Sequence, residues 1–205
     1  MKSIAILGAS GHGKVVAEIA ELSGYQQVVF FDDNENNSDF ECWKIQGDTK
    51  DLIAKLSIFD ACVVAIGDNK VRMEKTNLLL SNNANIISLI HPHASVSRYS
   101  EIQKGTVVMS GAVINPFVTI GISCIINTNS TIEHDSLIGY GTHISPNVAI
   151  AGSVTIGNET WIGIGSSIKQ NITIGSNVII GLGSVVLENL PDNVIAFGTP
   201  TKIKI

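Results

Sequence analysis

Charged residues are scarce in this chain of 205 residues. They make up 15% of the sequence, while hydrophobic residues make up 44%, and the net charge is −5. A weakly acidic chain has no general electrostatic attraction to nucleic acid or to anionic lipid, so neither is an expected partner. Few charges together with 19 glycines favour a β-rich core whose strands are joined by many tight turns.

Cysteines and long apolar runs are also scarce. Cys42, Cys62 and Cys124 are an odd number without metal-ligand spacing, which indicates reduced thiols in a cytosolic protein and no metal site. No apolar run reaches the roughly 18 residues that span a bilayer. The first residues have too short an apolar run for a signal peptide. We therefore expect a cytoplasmic protein without a membrane span.

Aliphatic residues recur at every sixth position through the second half of the chain. Each such position from 90 to 186 is isoleucine or valine, with no slip in register, and glycine often follows. A fixed short period indicates a repeat architecture. The positions are Ile90, Val96, Ile102, Val108, Ile114, Ile120, Ile126, Ile132, Ile138, Ile144, Ile150, Ile156, Ile162, Ile168, Ile174, Ile180 and Val186.

This period favours short strands joined by turns, three strands to a triangular coil, with the aliphatic side chain inside. Such coils stack as parallel sheets about 4.8 Å apart. Residues 90–186 would form between about five and six coils of three repeats each, and no long loop interrupts them. The sequence therefore predicts a parallel β-helix, which could belong to an enzyme or to a bare scaffold.

The first half alternates strands with helices. Residues 3–7, 28–33 and 61–69 indicate strands with their following turns, 14–24 and 71–83 indicate helices, and 86–90 indicate a fourth strand. This order predicts a small parallel sheet with crossover helices. We expect a Rossmann-like α/β nucleotide-binding domain over residues 1–85 and the β-helix with its C-terminal tail over 86–205.

The segment "GASGHGK", residues 8–14, lies where the first strand turns into a helix. Glycines let the backbone approach a phosphate, and the amides at a helix N-terminus favour an anion. The order G-x-x-G-x-G is not the dinucleotide pattern, and no P-loop is present. The glycines indicate either a mononucleotide site or only a tight strand–helix turn.

Glu133, His134 and Asp135 form an unusual charged cluster within the repeat, and His143 follows nine residues later. A histidine beside acids in a turn is commonly a solvated surface residue. In a catalytic site, the imidazole could serve as a general base near neutral pH, with a carboxylate fixing its tautomer. Asp135 is the first choice for that carboxylate and Glu133 the second.

The spacing of the two histidines has a further consequence. Nine residues are half of one coil, so His134 and His143 should lie on different parts of the triangular section. They can share a site only if a neighbouring subunit brings one to the other. The spacing thus predicts active sites between subunits.

The two halves together resemble the sugar acetyltransferases of the sialic-acid O-acetyltransferase/PglD type. The resemblance rests on "GASGHGK" and "FFDD" followed by an uninterrupted hexapeptide repeat that contains "NTNSTIEHD". It implies a left-handed β-helix, a homotrimer and acetyl-CoA as co-substrate. It also implies N-acetylation of the 4-amino group of a UDP-4-amino-4,6-dideoxy-N-acetyl sugar, as in diacetylbacillosamine synthesis. The alternatives are a GDP-perosamine-type N-acetyltransferase, a sialic acid O-acetyltransferase and, from another class, a non-catalytic trimeric nucleotide-binding scaffold.

The resemblance also assigns site residues. It implies His134 as the catalytic base with Asp135 as its acidic partner. An oxyanion donor is needed as well, either His143 or a backbone N–H. Implied contacts with acetyl-CoA are His143, Gly152, Ile164, Gly181 and Leu182, where Leu182 stands in place of the frequent glycine. Implied contacts with the nucleotide sugar are Ser10, Gly11, His12, Asp32, Asp33 and Gly67.

Overall fold

The computed structural model describes residues 1–34 and 38–204, which form two compact units, Met1–Pro92 and His93–Ile205. The division lies after Pro92 and not after residue 85 as expected from the sequence. The reason is that the segment following residue 85 completes the first unit: Ile86 forms a parallel bridge with Cys62 and is buried in the same hydrophobic cluster.

The first unit is an α/β fold with a three-stranded parallel sheet, in which β2 (Gln27–Phe31) and β5 (Ala61–Val64) flank β1 (Ser3–Leu7). The predicted strand at 86–90 is reduced to the single bridge of Ile86 and the short β6. A hairpin, β3–β4, and a short helix, α2, were not predicted. In chain order the elements are β1 Ser3–Leu7, α1 Gly11–Leu22, β2 Gln27–Phe31, β3 Asp39–Phe40, β4 Trp43–Lys44, α2 Thr49–Ala54, a 3-10 turn Leu56–Ile58, β5 Ala61–Val64, α3 Asn69–Ser81 and β6 Leu89–Ile90.

Two glycines fix the turn between β1 and α1. Gly8 has a φ of +117°, which side chains with a Cβ rarely adopt. A Cβ on Gly13 would lie 2.4 Å from the carbonyl oxygen of Gly8. Both glycines are therefore required by the backbone itself, whereas a Cβ on Gly11 would meet nothing within 4 Å.

The second unit is the parallel β-helix predicted from the repeat. From residue 95 to residue 186 its strands have two residues each and stack in register into three parallel sheets, with strands three apart in the chain as neighbours. At the C-terminal end, Ile195–Phe197 pairs with Ile179–Ile180, and the last strand, Lys202–Ile203, runs antiparallel to Ile195–Phe197. One sheet contains β7 Ser95–Val96, β10 Val113–Ile114, β13 Thr131–Ile132, β16 Ala149–Ile150, β19 Ser167–Ile168 and β22 Val185–Val186. The next contains β8 Glu101–Ile102, β11 Thr119–Ile120, β14 Leu137–Ile138, β17 Thr155–Ile156 and β20 Thr173–Ile174. The third contains β9 Val107–Val108, β12 Ile125–Ile126, β15 His143–Ile144, β18 Trp161–Ile162, β21 Ile179–Ile180, β23 Ile195–Phe197 and β24 Lys202–Ile203.

The sixth-position aliphatic residues from Val108 to Val186 fill the interior of the β-helix, as expected, and Val96 and Ile102 are partly buried against it. Ile90 was expected there too, but it lies in the first unit and is 39% exposed. Buried hydroxyl groups join one coil to the next beside this core. The Thr142 hydroxyl donates to the carbonyl of Gly157 at 2.8 Å and accepts from the N–H of Thr160 at 3.2 Å. Thr160 repeats the pattern with Gly175 and Val178. The hydroxyls thus satisfy backbone groups that the turns would otherwise leave unpaired inside the protein.

Each corner of the coil places one residue in the left-handed region of φ, and these residues align in columns along the axis. One column, called here the left-handed column, contains Phe117, Asp135, Ser153 and Asn171, with φ between +58° and +64°. Asparagine, aspartate and glycine tolerate this conformation best. Phe117 is therefore an unusual residue in the column.

No helix within residues 1–34 and 38–204 combines the length and the apolar character needed to cross a membrane.

Candidate active site

His134 and Asp135 form a pair on the turn that follows β13. The Nδ1 atom of His134 lies 2.7 Å from Oδ2 of Asp135, and both side chains are more than half exposed. A carboxylate can only accept, so Nδ1 carries a hydrogen and Nε2 of the neutral ring keeps its lone pair. The pair can therefore take a proton from a molecule in solution at Nε2. Of the two acids considered, Asp135 is the one that contacts the imidazole.

Gly152 lies beneath the His134 ring, one coil further along the chain. A Cβ on Gly152 would lie 2.7 Å from both Cε1 and Nε2 of His134. Any other residue at this position would displace the imidazole. Gly152 thus lies beside His134, apart from the other four residues that were expected to contact acetyl-CoA.

Those four residues, His143, Ile164, Gly181 and Leu182, lie together along an apolar groove on the third sheet. Trp161 is part of the same groove, and its ring stacks on His143 with 6.0 Å between centroids and 10° between planes. The indole N–H donates to the hydroxyl of Ser145 at 2.7 Å. A long ligand with an apolar portion fits such a surface.

Besides stacking on Trp161, His143 contacts the side chain of Asn127, which the sequence analysis did not identify. Its Nε2 lies 3.1 Å from the side-chain nitrogen of Asn127, whose oxygen accepts from the N–H of Thr128 at 2.8 Å. The amide nitrogen donates, so Nε2 of His143 accepts and the neutral ring carries its hydrogen on Nδ1. His143 is thus oriented as a donor at Nδ1, and not as a second base.

The two histidines are not brought together within one chain. His134 follows a strand of the first sheet, whereas His143 begins a strand of the third. This arrangement agrees with the half-coil spacing of the sequence.

A second pocket lies in the first unit, at the carboxyl ends of the three parallel strands. Ser10, Asp32, Asp33 and Gly67 all line it, which brings together four of the six residues expected to hold a nucleotide sugar. Gly11 and His12 are not among its lining residues. Lys75 lines the pocket as well and supplies a cation that the sequence analysis missed, because it belongs to a helix far along the chain.

The two aspartates of this pocket are engaged with the protein. Asp32 accepts from the N–H of Ala9 at 2.7 Å and from that of Asn34 at 2.8 Å, so it ties the glycine turn to the end of β2. Asp33 accepts from the N–H of Thr49 at 2.9 Å and pairs with Lys75 at 2.6 Å. These hydrogen bonds from Thr49 and Lys75, together with the charge of Lys75, outweigh the opposing effect of burial and lower the pKa of Asp33.

His12 lies in the first turn of α1 with its Nε2 atom buried and without a hydrogen-bond partner. Burial, and next the nearby charge of Arg72, lower the pKa of His12 to about 4. Arg72 is itself buried and donates to the carbonyls of Ile66 and Gly67, both at 2.9 Å. A neutral His12 and a charged Arg72 thus support the two turns that form the pocket.

Within residues 1–34 and 38–204, no three side chains of His, Cys, Asp or Glu are grouped so that they could hold a metal ion.

Both units match known families in sequence. Residues 3–79 match the PglD N-terminal domain, and residues 153–188 match the bacterial transferase hexapeptide of six repeats. A curated relative is the UDP-N-acetylbacillosamine N-acetyltransferase of Bacillus subtilis (strain 168), which is 36% identical over 114 residues. That match covers 54% of this chain and only 52% of the relative, so it spans about half the length of each.

Several solved structures resemble the whole chain, and two of them are ligand complexes of particular interest. The acetyltransferase domain of PglB from Neisseria gonorrhoeae FA1090, in complex with acetyl coenzyme A, has a TM-score of 0.96 and 35% identity over 99% of both chains. PerB from Caulobacter crescentus, in complex with CoA and GDP-perosamine, has a TM-score of 0.95 and 33% identity. That match covers 100% of this chain and 98% of PerB.

A hexapeptide β-helix that follows a small α/β nucleotide-binding fold defines the class of protein as a hexapeptide-repeat sugar acetyltransferase. Within that class, the chain belongs to the PglD-type family, as its N-terminal domain match and its likeness to the PglB domain over nearly the full length show.

Proposed function

We propose that the chain is an acetyl-CoA-dependent N-acetyltransferase that acetylates the 4-amino group of a UDP-4-amino-4,6-dideoxy-N-acetyl sugar. The observation that carries the proposal is the His134–Asp135 pair, held at 2.7 Å above a glycine that leaves room for the imidazole. The relatives support it, since one acts on UDP-N-acetylbacillosamine and another binds acetyl coenzyme A.

In the proposed reaction, the neutral amine of the sugar attacks the thioester carbonyl carbon of acetyl-CoA. Nε2 of His134 takes the amine proton as the C–N bond forms, and Asp135 stabilises the resulting imidazolium through Nδ1–H. The C–S bond of the tetrahedral intermediate then breaks. The imidazolium returns its proton to the departing sulfur, so the products are the N-acetyl sugar and CoA in its thiol form.

We assign the apolar groove beside His143 and Trp161 to acetyl-CoA and the pocket beside Lys75 to the nucleotide part of the acceptor. The groove offers Ile164 and Leu182 to the pantetheine arm. The ammonium of Lys75 and the exposed start of α1 at Ser10 suit a diphosphate. We further propose a homotrimer in which His134 of one subunit and His143 of the next share each site.

One alternative acceptor has a specific observation in its favour. PerB, which binds GDP-perosamine, resembles the chain over its whole length and is nearly as similar in sequence as the PglB domain. A GDP-linked 4-amino sugar is therefore the second candidate.

The test is CoA thiol release from acetyl-CoA with 4-amino sugars linked to UDP, GDP or dTDP, and with free sialic acid. We expect release with the UDP-linked sugar, and its loss in His134→Ala with CoA binding retained. Release only with the GDP-linked sugar or with sialic acid would keep the acetyl transfer and replace the acceptor. No release with any acceptor and no binding of CoA would favour a scaffold that lacks transferase activity.

A further inference from the structure

Two exposed aromatic residues stack on each other at one corner of the β-helix. The rings of Tyr99 and Phe117 lie 5.8 Å apart between centroids with 27° between their planes. Tyr99 is 55% exposed and Phe117 is 64% exposed. Arg98 lies over the Tyr99 ring at 5.0 Å and donates to its hydroxyl at 3.0 Å. The pair, called here the aromatic ledge, is therefore held in place although it faces outward.

Phe117 occupies its position at a cost in free energy. Its φ is +64°, a region in which a bulky residue is an outlier, and the same position in the next coils is Asp135, Ser153 and Asn171. A bulky residue held in this region of φ is strained and lowers the stability of the fold. Stacking on Tyr99 offsets part of this cost, and the ring otherwise faces outward, so the isolated subunit gains little net stability from Phe117.

The aromatic ledge lies one coil before the His134–Asp135 pair. Phe117 and Asp135 stand one above the other in the left-handed column, and the N–H of Asp135 donates to the carbonyl of Pro116 at 3.3 Å. The His134 ring leans the other way, over Gly152. Along the axis of the β-helix the order is therefore the ledge, then the His134–Asp135 pair, then Gly152 beneath the imidazole.

We infer that the aromatic ledge binds the sugar ring of the acceptor, and this rests on the proposed function. An amine that gives its proton to His134 must lie within hydrogen-bond reach of Nε2. The part of the acceptor nearest His134 is then the sugar that carries the amine, while the nucleotide lies further away. The surface next to the base on the side opposite Gly152 is the one that this sugar can cover.

The sugar ring and the aromatic ledge are chemically complementary. One face of a pyranose presents C–H bonds, and C–H groups pack favourably on the electron-rich face of an aromatic ring. In a 6-deoxy sugar a methyl group replaces the hydroxymethyl group, which enlarges the apolar area. The ledge thereby orients the ring so that the amine points to His134, while the neighbouring thioester approaches over Gly152.

The test compares Phe117→Asn with the wild type in calorimetric binding of the UDP-4-amino sugar and of UDP alone. Asparagine accepts the left-handed φ, so the variant should unfold at an equal or higher temperature. We expect binding of the amino-sugar nucleotide to weaken about fivefold to tenfold, and binding of UDP to stay the same. In turnover, KM for the acceptor should rise while KM for acetyl-CoA stays within about twofold.

Two further variants serve as controls. Phe117→Tyr keeps the ring and should bind the acceptor as the wild type does. Tyr140→Asn removes another exposed aromatic residue of the β-helix, in a different turn, and should change neither affinity.

Three outcomes would overturn the inference, each in a recognisable way. Equal affinity of Phe117→Asn and wild type for the amino-sugar nucleotide would remove the ledge from the site while leaving the proposed function intact. Loss of the oligomer in Phe117→Asn, seen by light scattering, would assign the ledge to a contact between subunits. A wild type that acetylates no acceptor, and binds no amino-sugar nucleotide more tightly than the bare nucleotide, would remove the proposed function and the ledge together.

Discussion

Gly152 leaves room for the imidazole of His134 because it has no side chain. In Gly152→Ala the added Cβ would fall 2.7 Å from Nε2 of His134, so the imidazole must move and its bond with Asp135 must lengthen. We expect kcat to fall by about 100-fold or more, because general base catalysis depends on position, while the thermal unfolding temperature changes little. Steady-state kinetics measure the fall in kcat, and a thermal melt measures the unfolding temperature.

A double-mutant cycle with His134→Gln identifies the cause of that loss. If Gly152→Ala acts through the imidazole, adding it to His134→Gln should slow the enzyme no further. A further loss of similar size in the double variant would show that Gly152 serves acetyl-CoA instead.

His12 makes the stability of the first unit depend on pH. Its pKa is about 4 in the folded protein and near 6.5 when the chain is unfolded, so the unfolded state binds more protons between these values. This contribution to stability is complete above pH 6.5 and is lost as the pH falls towards 4. It amounts to about 3 kcal/mol at most. Denaturant unfolding of wild type and His12→Gln should give a difference that varies with pH only in this window; a difference that is constant from pH 7 to pH 4 would contradict the assigned burial.

The sequence located residues whose chemistry is unusual where they stand. His134 and Asp135 could be singled out because charge is rare in the repeat, and Asp32 and Asp33 because they end a strand of the predicted parallel sheet. Ser10 and Gly67 came only from the family resemblance. Lys75, Asn127 and Phe117 could not be singled out in that way. Lysine on a helix and asparagine in a turn are common, and the strain at Phe117 becomes visible only with the backbone angles.

At the scale of the element, the strength of the β-helix depends on its buried hydroxyl ladder. Thr142→Val keeps the shape of the side chain but leaves the carbonyl of Gly157 and the N–H of Thr160 without that partner. We expect the free energy of unfolding to fall by about 1–3 kcal/mol. The matched control is Thr155→Val, at an exposed strand position, which should stay within about 0.5 kcal/mol of the wild type in urea unfolding. Equal effects of the two substitutions would contradict a role for the ladder.

The elements themselves were predictable to different degrees. The β-helix was, because one period extends over its whole length and each strand needs only its own hexapeptide. The hairpin Asp39–Phe40 and Trp43–Lys44 and the helix Thr49–Ala54 were not, because each is too short to show a period. The helix is instead defined by Asp48 and Asp51, which form a capping box around its first turn.

At the scale of the whole molecule, the proposed sharing of each site between subunits makes a quantitative prediction. His134→Ala and His143→Ala should each impair turnover as pure proteins. When the two are co-expressed in equal amounts, random assembly leaves about a quarter of the sites with both histidines intact. We therefore expect about a quarter of the wild-type rate from the mixture. A mixture no faster than the two variants measured apart would show that one chain supplies both residues.

The unbroken register of the β-helix also limits the ways in which such a protein can change in length during evolution. His134 faces Gly152, His143 faces Trp161, and Thr142 bonds to Thr160, in each case one coil further along the chain. A single-residue deletion between the members of these pairs would shift every later residue to the wrong corner and separate all three at once. Whole-coil duplications before or after this region would leave them together. The number of coils can therefore change without separating such pairs only in steps of one full coil of 18 residues.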